Sequence, residues 1–301
     1  MTARSCPVCA APPSDSTLFL ERNFDPSKVS AFSFASRKVP EFMCHRLIRC
    51  TQCDLVYADE PPDQAVLARA YHESAFDSAE EANDAAIAYA KAIETTLARL
   101  PRRGSALEIG TGTGVFLDEL SRAGFDELIG VEPSTAAIAA APEHRRHQIR
   151  EGIFQSENFT PESFDLICCF MTLEHVRDPG DLVAGAKRLL RPGGALVLVT
   201  HDYHAWINRM LGSRSPIIDI EHMQLFSRKS LDRLLTGAGF VDINIQTFRN
   251  RYALKYWARL LPLPSGLKQT LTGTMARLNL GEVKASINVG NMMTVGFVPR
   301  R

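Results

Sequence analysis

Residues Ala106 to Leu117 constrain this 301-residue chain more than any other stretch. An apolar run carrying Glu108 passes into Gly110, Gly112 and Gly114 at alternate positions, then into the helical pattern Val115-Phe116-Leu117. The pattern reads as strand, tight turn and helix. Glycine suits such a turn because the backbone must enter regions closed to other residues. It also lets a ligand approach the main-chain N–H groups at a helix N-terminus. The turn therefore predicts a nucleotide site.

Its spacing selects the nucleotide. A dinucleotide fingerprint, G-x-G-x-x-G, needs a glycine where this chain has Val115. Glu108 would repel a bound pyrophosphate, whereas a ligand with an ammonium group would be drawn to it. S-adenosylmethionine is such a ligand. The run E-x-G-x-G-x-G formed by Glu108, Gly110, Gly112 and Gly114, with Thr111 inside it, resembles the first motif of the class I S-adenosylmethionine-dependent methyltransferases. The resemblance implies that these residues hold the cofactor, with Gly110 and Gly112 facing its methionine half.

Later residues extend the resemblance. A second strand, Glu127 to Val131, ends at Glu132, an acid roughly 20 residues past the glycines and so placed to bond the ribose hydroxyls of an adenosine. After a third strand near Gln148 to Glu151, the family commonly offers an acidic adenine contact. Here Gly152-Ile153-Phe154 follows, so the family implies only Ile153 and Phe154 as apolar cover. A fourth strand, Ser163 to Phe170, places Phe170 at the cofactor pocket and leads into Leu173-Glu174-His175-Val176-Arg177-Asp178-Pro179. Leu189-Leu190 precede Arg191 to Gly194, which reads as a turn into a fifth strand, Ala195 to Val199. This order is similar to that of small-molecule class I methyltransferases, and it implies a Rossmann-like α/β fold with a seven-stranded, mostly parallel sheet and helices on both faces.

Three histidines fall at carboxyl ends of predicted strands or in the run beyond them, the edge where open parallel sheets bind ligands. They are His175, His201 and, in Glu221-His222-Met223-Gln224 before a helix starting at Ser227, His222. With an ordinary pKa of about 6.5, a histidine there can take a proton from an acceptor, and all three are candidate catalytic groups, His175 first. A metal held by the three is the less favoured reading.

Cysteine number and placement argue against a disulfide framework, with 7 cysteines unevenly spread. Cys6-Pro7-Val8-Cys9 and Cys50-Thr51-Gln52-Cys53 are two knuckles whose four thiolates suit one tetrahedral Zn2+. A site closed by four thiolates leaves no open position, so the zinc is expected to be structural. Cys44 and His45 are possible substitutes. A knuckle ribbon on this core resembles methyltransferases of bacterial sugar, surface-polysaccharide and natural-product pathways.

Three segments result: a zinc ribbon over residues 1–60, a helical cap or linker over 61–104, and an S-adenosylmethionine-binding domain over 105–301 with a helical insertion at about 253–282. Tyr71, in the cap, is placed either in the cofactor pocket, as the family implies, or between the cap helices. Lys+Arg 34 balance Asp+Glu 34, so no net field draws the chain to nucleic acid or anionic membrane. A small-molecule acceptor and a cytoplasmic location are expected, without stable membrane insertion. A homo-oligomer stays open. The function expected is methyl transfer to a hydroxyl, amine or activated carbon; the alternatives are a ribosomal RNA base methyltransferase and a non-catalytic cofactor-binding subunit.

Overall fold

The computed structural model describes residues 4–34, 41–76, 79–261, 263, 265–278 and 280–300. The chain opens with three short strands, β1 (Ser16–Leu20), β2 (Leu47–Cys50) and β3 (Val56–Ala58), and three helices, α1 (Gln64–His72), α2 (Ala79–Ala92) and α3 (Glu94–Arg99). Strand and helix then alternate: β4 (Ser105–Ile109), α4 (Val115–Arg122), β5 (Glu127–Glu132), α5 (Thr135–Ala140), α6 (Glu143–Arg146), β6 (Ile149–Glu151), β7 (Phe164–Phe170), α7 (Pro179–Leu189) and β8 (Leu190–His201). The last third holds α8 (Trp206–Leu211), β9 (Gln224–Leu225), α9 (Arg228–Gly237), β10 (Val241–Ala253), α10 (Leu254–Leu260), α11 (Ser265–Arg277) and β11 (Lys284–Phe297).

The larger sheet has seven strands, ordered β10-β11-β8-β7-β4-β5-β6, and only β11 runs against the rest. Every residue of β4 and β7 is buried, as expected for central parallel strands covered on both faces. The chain moves outward from β4 to β6 on one side and from β7 to β8 on the other. The crevice at the carboxyl ends of β4 and β7 is therefore a topological switch point, where open α/β sheets bind ligands. In α4, Phe116, Leu117 and Leu120 form the buried stripe. Ser227 caps α9 through a reciprocal bond with Ser230, a feature worth about 1 kcal/mol.

Several expectations need correction. Residues 190–194 belong to β8 rather than to a turn, because Leu190 already pairs with Phe164 before a register shift to Ala195 opposite Leu166. Gly193 takes a left-handed φ of 79° there, and a side chain on Gly194 would strike the carbonyls of Arg191 and Asp165 at 2.9 and 3.0 Å. The helical insertion expected at about 253–282 starts at Leu254, because β10 stays paired with β11 as far as Ala253 opposite Lys284. Within the helical cap the helix breaks between Ala92 and Glu94, so that α2 and α3 are separate helices. Upstream of β2, Cys44 makes only an isolated bridge to Asn23.

The ribbon also does not close on itself at residue 60. Its sheet runs β1-β2-β3-β9, so its fourth strand comes from Gln224–Leu225, far along the chain. Cys6, Cys50, Cys53, Leu55 and Tyr57 share one core with Leu173, Leu182 and Phe226. Arg4 fastens the two parts: its Nε donates to the carbonyl of Ala58 at 2.9 Å and its Nη1 to that of Arg177 at 2.6 Å.

Candidate active site

The glycine turn is pinned to β5. The N–H groups of Gly110 and Thr111 both donate to the carbonyl of Val131, at 2.9 and 3.1 Å. Gly110, Gly112 and Gly114 all have left-handed φ, of 75°, 57° and 71°. Their roles differ. A side chain on Gly110 would meet Thr172 at 2.2 Å, whereas above Gly112 there is open space. Glu132 accepts from the N–H of Gly112 at 2.7 Å through one oxygen and from that of Ser134 at 2.8 Å through the other, which locks the carboxylate beside the turn. Burial pushes the Glu132 carboxyl up, against these two bonds.

Glu108, next to last in β4, accepts from the Thr111 hydroxyl. Burial, with the nearby Glu132 charge, pushes its carboxyl up to about 8, despite the Thr111 bond. A buried acid of this kind is ready for an ammonium partner, which would favour its charged form. The donor set thus fits the adenosyl amino acid that the sequence implies: Glu108 for the ammonium, Glu132 for the ribose, and an open glycine cradle between them. Ile153, Phe154 and Phe170 line the same cavity. Phe154 stacks on Phe159, while Phe170 packs against Tyr89 and Phe116.

This cavity, of about 1360 Å³, reaches from Glu108 and Glu132 to His175, His201 and His222. The rings of His175 and His222 are 4.8 Å apart and those of His201 and His222 5.5 Å. Tyr71 stands at this end, its ring 6.0 Å from His175 and its hydroxyl donating to the carbonyl of Glu221.

The histidines differ in their partners. Glu174 is wholly buried, and its Oε1 accepts from the backbone N–H of His201 at 2.7 Å and lies 3.2 Å from His201 Nδ1. Burial would push the Glu174 carboxyl up, but the His201 bond and the neighbouring histidines outweigh it and hold it below its ordinary value. His201 Nδ1 is thus committed to a carboxylate, leaving Nε2 as the second ring nitrogen. In His222 the Nδ1–H donates to the carbonyl of Ile217 at 2.8 Å. Burial, with the charge of His175, pushes His222 down to about 4, so it is neutral.

A single buried side chain fixes these groups. Gln224 Nε2 donates to the carbonyls of Leu173 and Val176, at 2.7 and 2.6 Å, bracketing Glu174 and His175. Gln224 belongs to β9, paired with Tyr57 of the ribbon, so the ribbon sheet holds the segment that carries His222 and, through Gln224, the loop that carries His175. Sequence reasoning missed the buried role of Glu174, as well as Glu221, Gln224 and the aromatic wall of Tyr89, Tyr252, Tyr256 and Trp257. It had a signal for the last group: three aromatics lie within six residues after Arg251.

The four knuckle sulfurs converge, all within 4.8 Å of one another, with Cys6–Cys53 and Cys9–Cys50 each at 3.5 Å. Tetrahedral zinc with bonds of 2.3 Å needs sulfurs about 3.8 Å apart, so the set fits. Each knuckle closes with a left-handed residue, Ala10 and Asp54, that returns its N–H to the carbonyl of Cys6 or Cys50. Cys44 and His45 lie outside the cluster. Cys44 Sγ faces the carbonyl of Glu21, which removes it as a substitute ligand.

Residues 82–245, more than half of the chain, match a family described as a methyltransferase domain. The chain belongs to the methyltransferase domain family. It is similar to a ubiquinone biosynthesis O-methyltransferase of Methylococcus capsulatus, 36% identical over 104 residues, covering 32% of this chain and 42% of that protein. A protein of the same description from Psychrobacter arcticus is 25% identical over 167 residues, covering 50% and 65%. The chain thus spans less than two thirds of the length of these relatives. A solved structure from Anabaena variabilis, described as a methyltransferase from an antibiotic biosynthesis pathway, shares the fold at a TM-score of 0.51 and 19% identity, covering 70% of this chain and 96% of that one. Among the described residues no helix of this family member is long and apolar enough to cross a membrane.

Proposed function

We propose that this chain moves a methyl group from S-adenosylmethionine to a hydroxyl of a small molecule. The observation that carries the reading is one cavity lined at one end by Glu108, Gly112 and Glu132 and at the other by His175, His201 and His222. Glu108 and the glycine turn hold the methionine half, Glu132 the ribose, and Ile153 and Phe154 cover the adenine. When bound, the cofactor supplies an electrophilic methyl group, so the protein has to align the acceptor, exclude water and remove one proton. His201, braced by Glu174, takes that proton. The names of the relatives favour oxygen as the acceptor atom.

Tyr89, Tyr252, Tyr256 and Trp257 also line this cavity, and Asn250 and Asn291 bury amide oxygens that have no hydrogen-bond partner among the described residues. An acceptor with an apolar body and hydroxyl donors matches that wall. Zinc on Cys6, Cys9, Cys50 and Cys53 is structural and keeps β3 in place for β9.

Calorimetric titration of S-adenosylmethionine tests the cofactor half. One equivalent is expected to bind, while NAD does not. Because Glu108 titrates near 8 when unliganded and the ammonium needs its charged form, affinity should fall as pH drops below about 8, by up to about tenfold per unit. Glu108→Gln should bind more weakly and lose that acid limb. An acid limb retained in the variant would show that Glu108 does not meet the ammonium.

A further inference from the structure

The segment between α8 and β9 brings a second donor set to the histidine end of the cavity. His175, Glu221 and His222 present ligand atoms that all lie within 4.8 Å of one another. Two imidazoles and one carboxylate are a donor set suited to divalent transition metals, and three protein ligands leave further positions for exchangeable groups. We infer that His175, Glu221 and His222 form a second metal site, for a divalent transition-metal cation that binds the oxygens of the acceptor. The inference deepens the proposed function and rests on its placing of the acceptor at this end of the cavity.

Three observations support it. First, His222 is oriented as a metal-binding histidine is: its Nδ1–H is spent on the carbonyl of Ile217 at 2.8 Å, which fixes the tautomer and leaves the Nε2 lone pair as the ligand. Second, the ligands come from two segments that are fastened together. The N–H of Met223 donates to the carbonyl of Glu174 at 2.8 Å, and Gln224 bonds the carbonyls on both sides of Glu174 and His175. His175 Nδ1 and Glu221 Oε2 already lie 3.7 Å apart. Third, all three residues line the cavity, so positions left open by the protein face the space where an acceptor docks.

The chemistry separates this site from the ribbon. Four thiolates select zinc and other soft ions, whereas a nitrogen and oxygen set also accepts Mn2+. A cation here would lower the pKa of an acceptor hydroxyl, and His201 on the neighbouring strand end would receive the proton. Acceptors with two adjacent oxygens, able to occupy two open positions at once, are the class this site selects.

The test is titration of Mn2+ into the zinc-loaded protein, with free Mn2+ followed by its paramagnetic resonance signal. One equivalent should bind, and Glu221→Gln and His222→Gln should each weaken it by about 10- to 100-fold. His175→Gln, at a half-buried position, provides a third variant should either of the others melt early. Thermal melting and S-adenosylmethionine titration identify variants that remain folded. No Mn2+ binding by the native protein, or equal binding in the folded variants, overturns the inference. If Mn2+ does not bind but methyl transfer proceeds, the site fails and the proposed function stands. If Mn2+ binds and S-adenosylmethionine does not, the proposed function fails and the cation-binding part of the inference survives.

Discussion

Replacing His201 with Ala is expected to lower turnover by about 10²- to 10⁴-fold, the usual worth of a positioned general base, with little change in affinity for S-adenosylmethionine. The expectation rests on a difference among the three histidines. His222 has spent its Nδ1–H on Ile217 and is depressed to about 4, which makes it a poor base near neutrality. His201 alone has a fully buried carboxylate directly on Nδ1, in the arrangement that stabilises an imidazolium once it forms. Glu174→Gln, a change at a positioning residue, should lower turnover in the same direction, with S-adenosylmethionine affinity likewise little changed. Full turnover by His201→Ala would show that His201 is not the base.

The second large effect comes from the ribbon. Cys6→Ser with Cys9→Ser should remove the zinc and lower the melting temperature by about 10 °C or more, because binding energy at a structural zinc is folding energy. The loss should reach the active site. Tyr57 pairs with Gln224, two residues along the chain from His222, and Asp54 of the second knuckle accepts from Tyr203 Oη at 2.7 Å and contacts His204 Nε2 at 2.7 Å, just past His201. The variant is therefore expected to lose affinity for the acceptor even at temperatures where it stays folded. A zinc-free variant with native melting and unchanged acceptor affinity would contradict the account of the ribbon as a brace.

The glycine-turn end of the cavity was readable from sequence because its demands are local. Left-handed turns at Gly110 and Gly112, a strand-end acid at Glu132 and an apolar helix at Val115 are each fixed by residues close in the chain. The histidine end was only partly readable. Glu174 and His175 are neighbours in sequence, yet Glu174 is buried against His201 while His175 faces Tyr71 and His222. No spacing rule states which of two adjacent loop residues points inward. Strand β9 is two residues long, too short to show alternation, so its addition to the ribbon sheet left no pattern to find. Pro192, Gly193 and Gly194 resemble a turn because they are turn residues; their place in β8 depends on β7 and β11 alongside, which only the tertiary fold supplies.

The central claim, that one cavity joins an S-adenosylmethionine site to an acceptor site for small hydroxylated molecules, is tested most directly by release of S-adenosylhomocysteine. Zinc-loaded protein would be incubated with S-adenosylmethionine and with cell metabolites separated into small-molecule and nucleic-acid fractions. The account predicts release with a small-molecule fraction, a strong fall in His201→Ala, and a methyl group found on oxygen in the product. Release with the RNA fraction alone, or equal release by the native protein and His201→Ala, would contradict it.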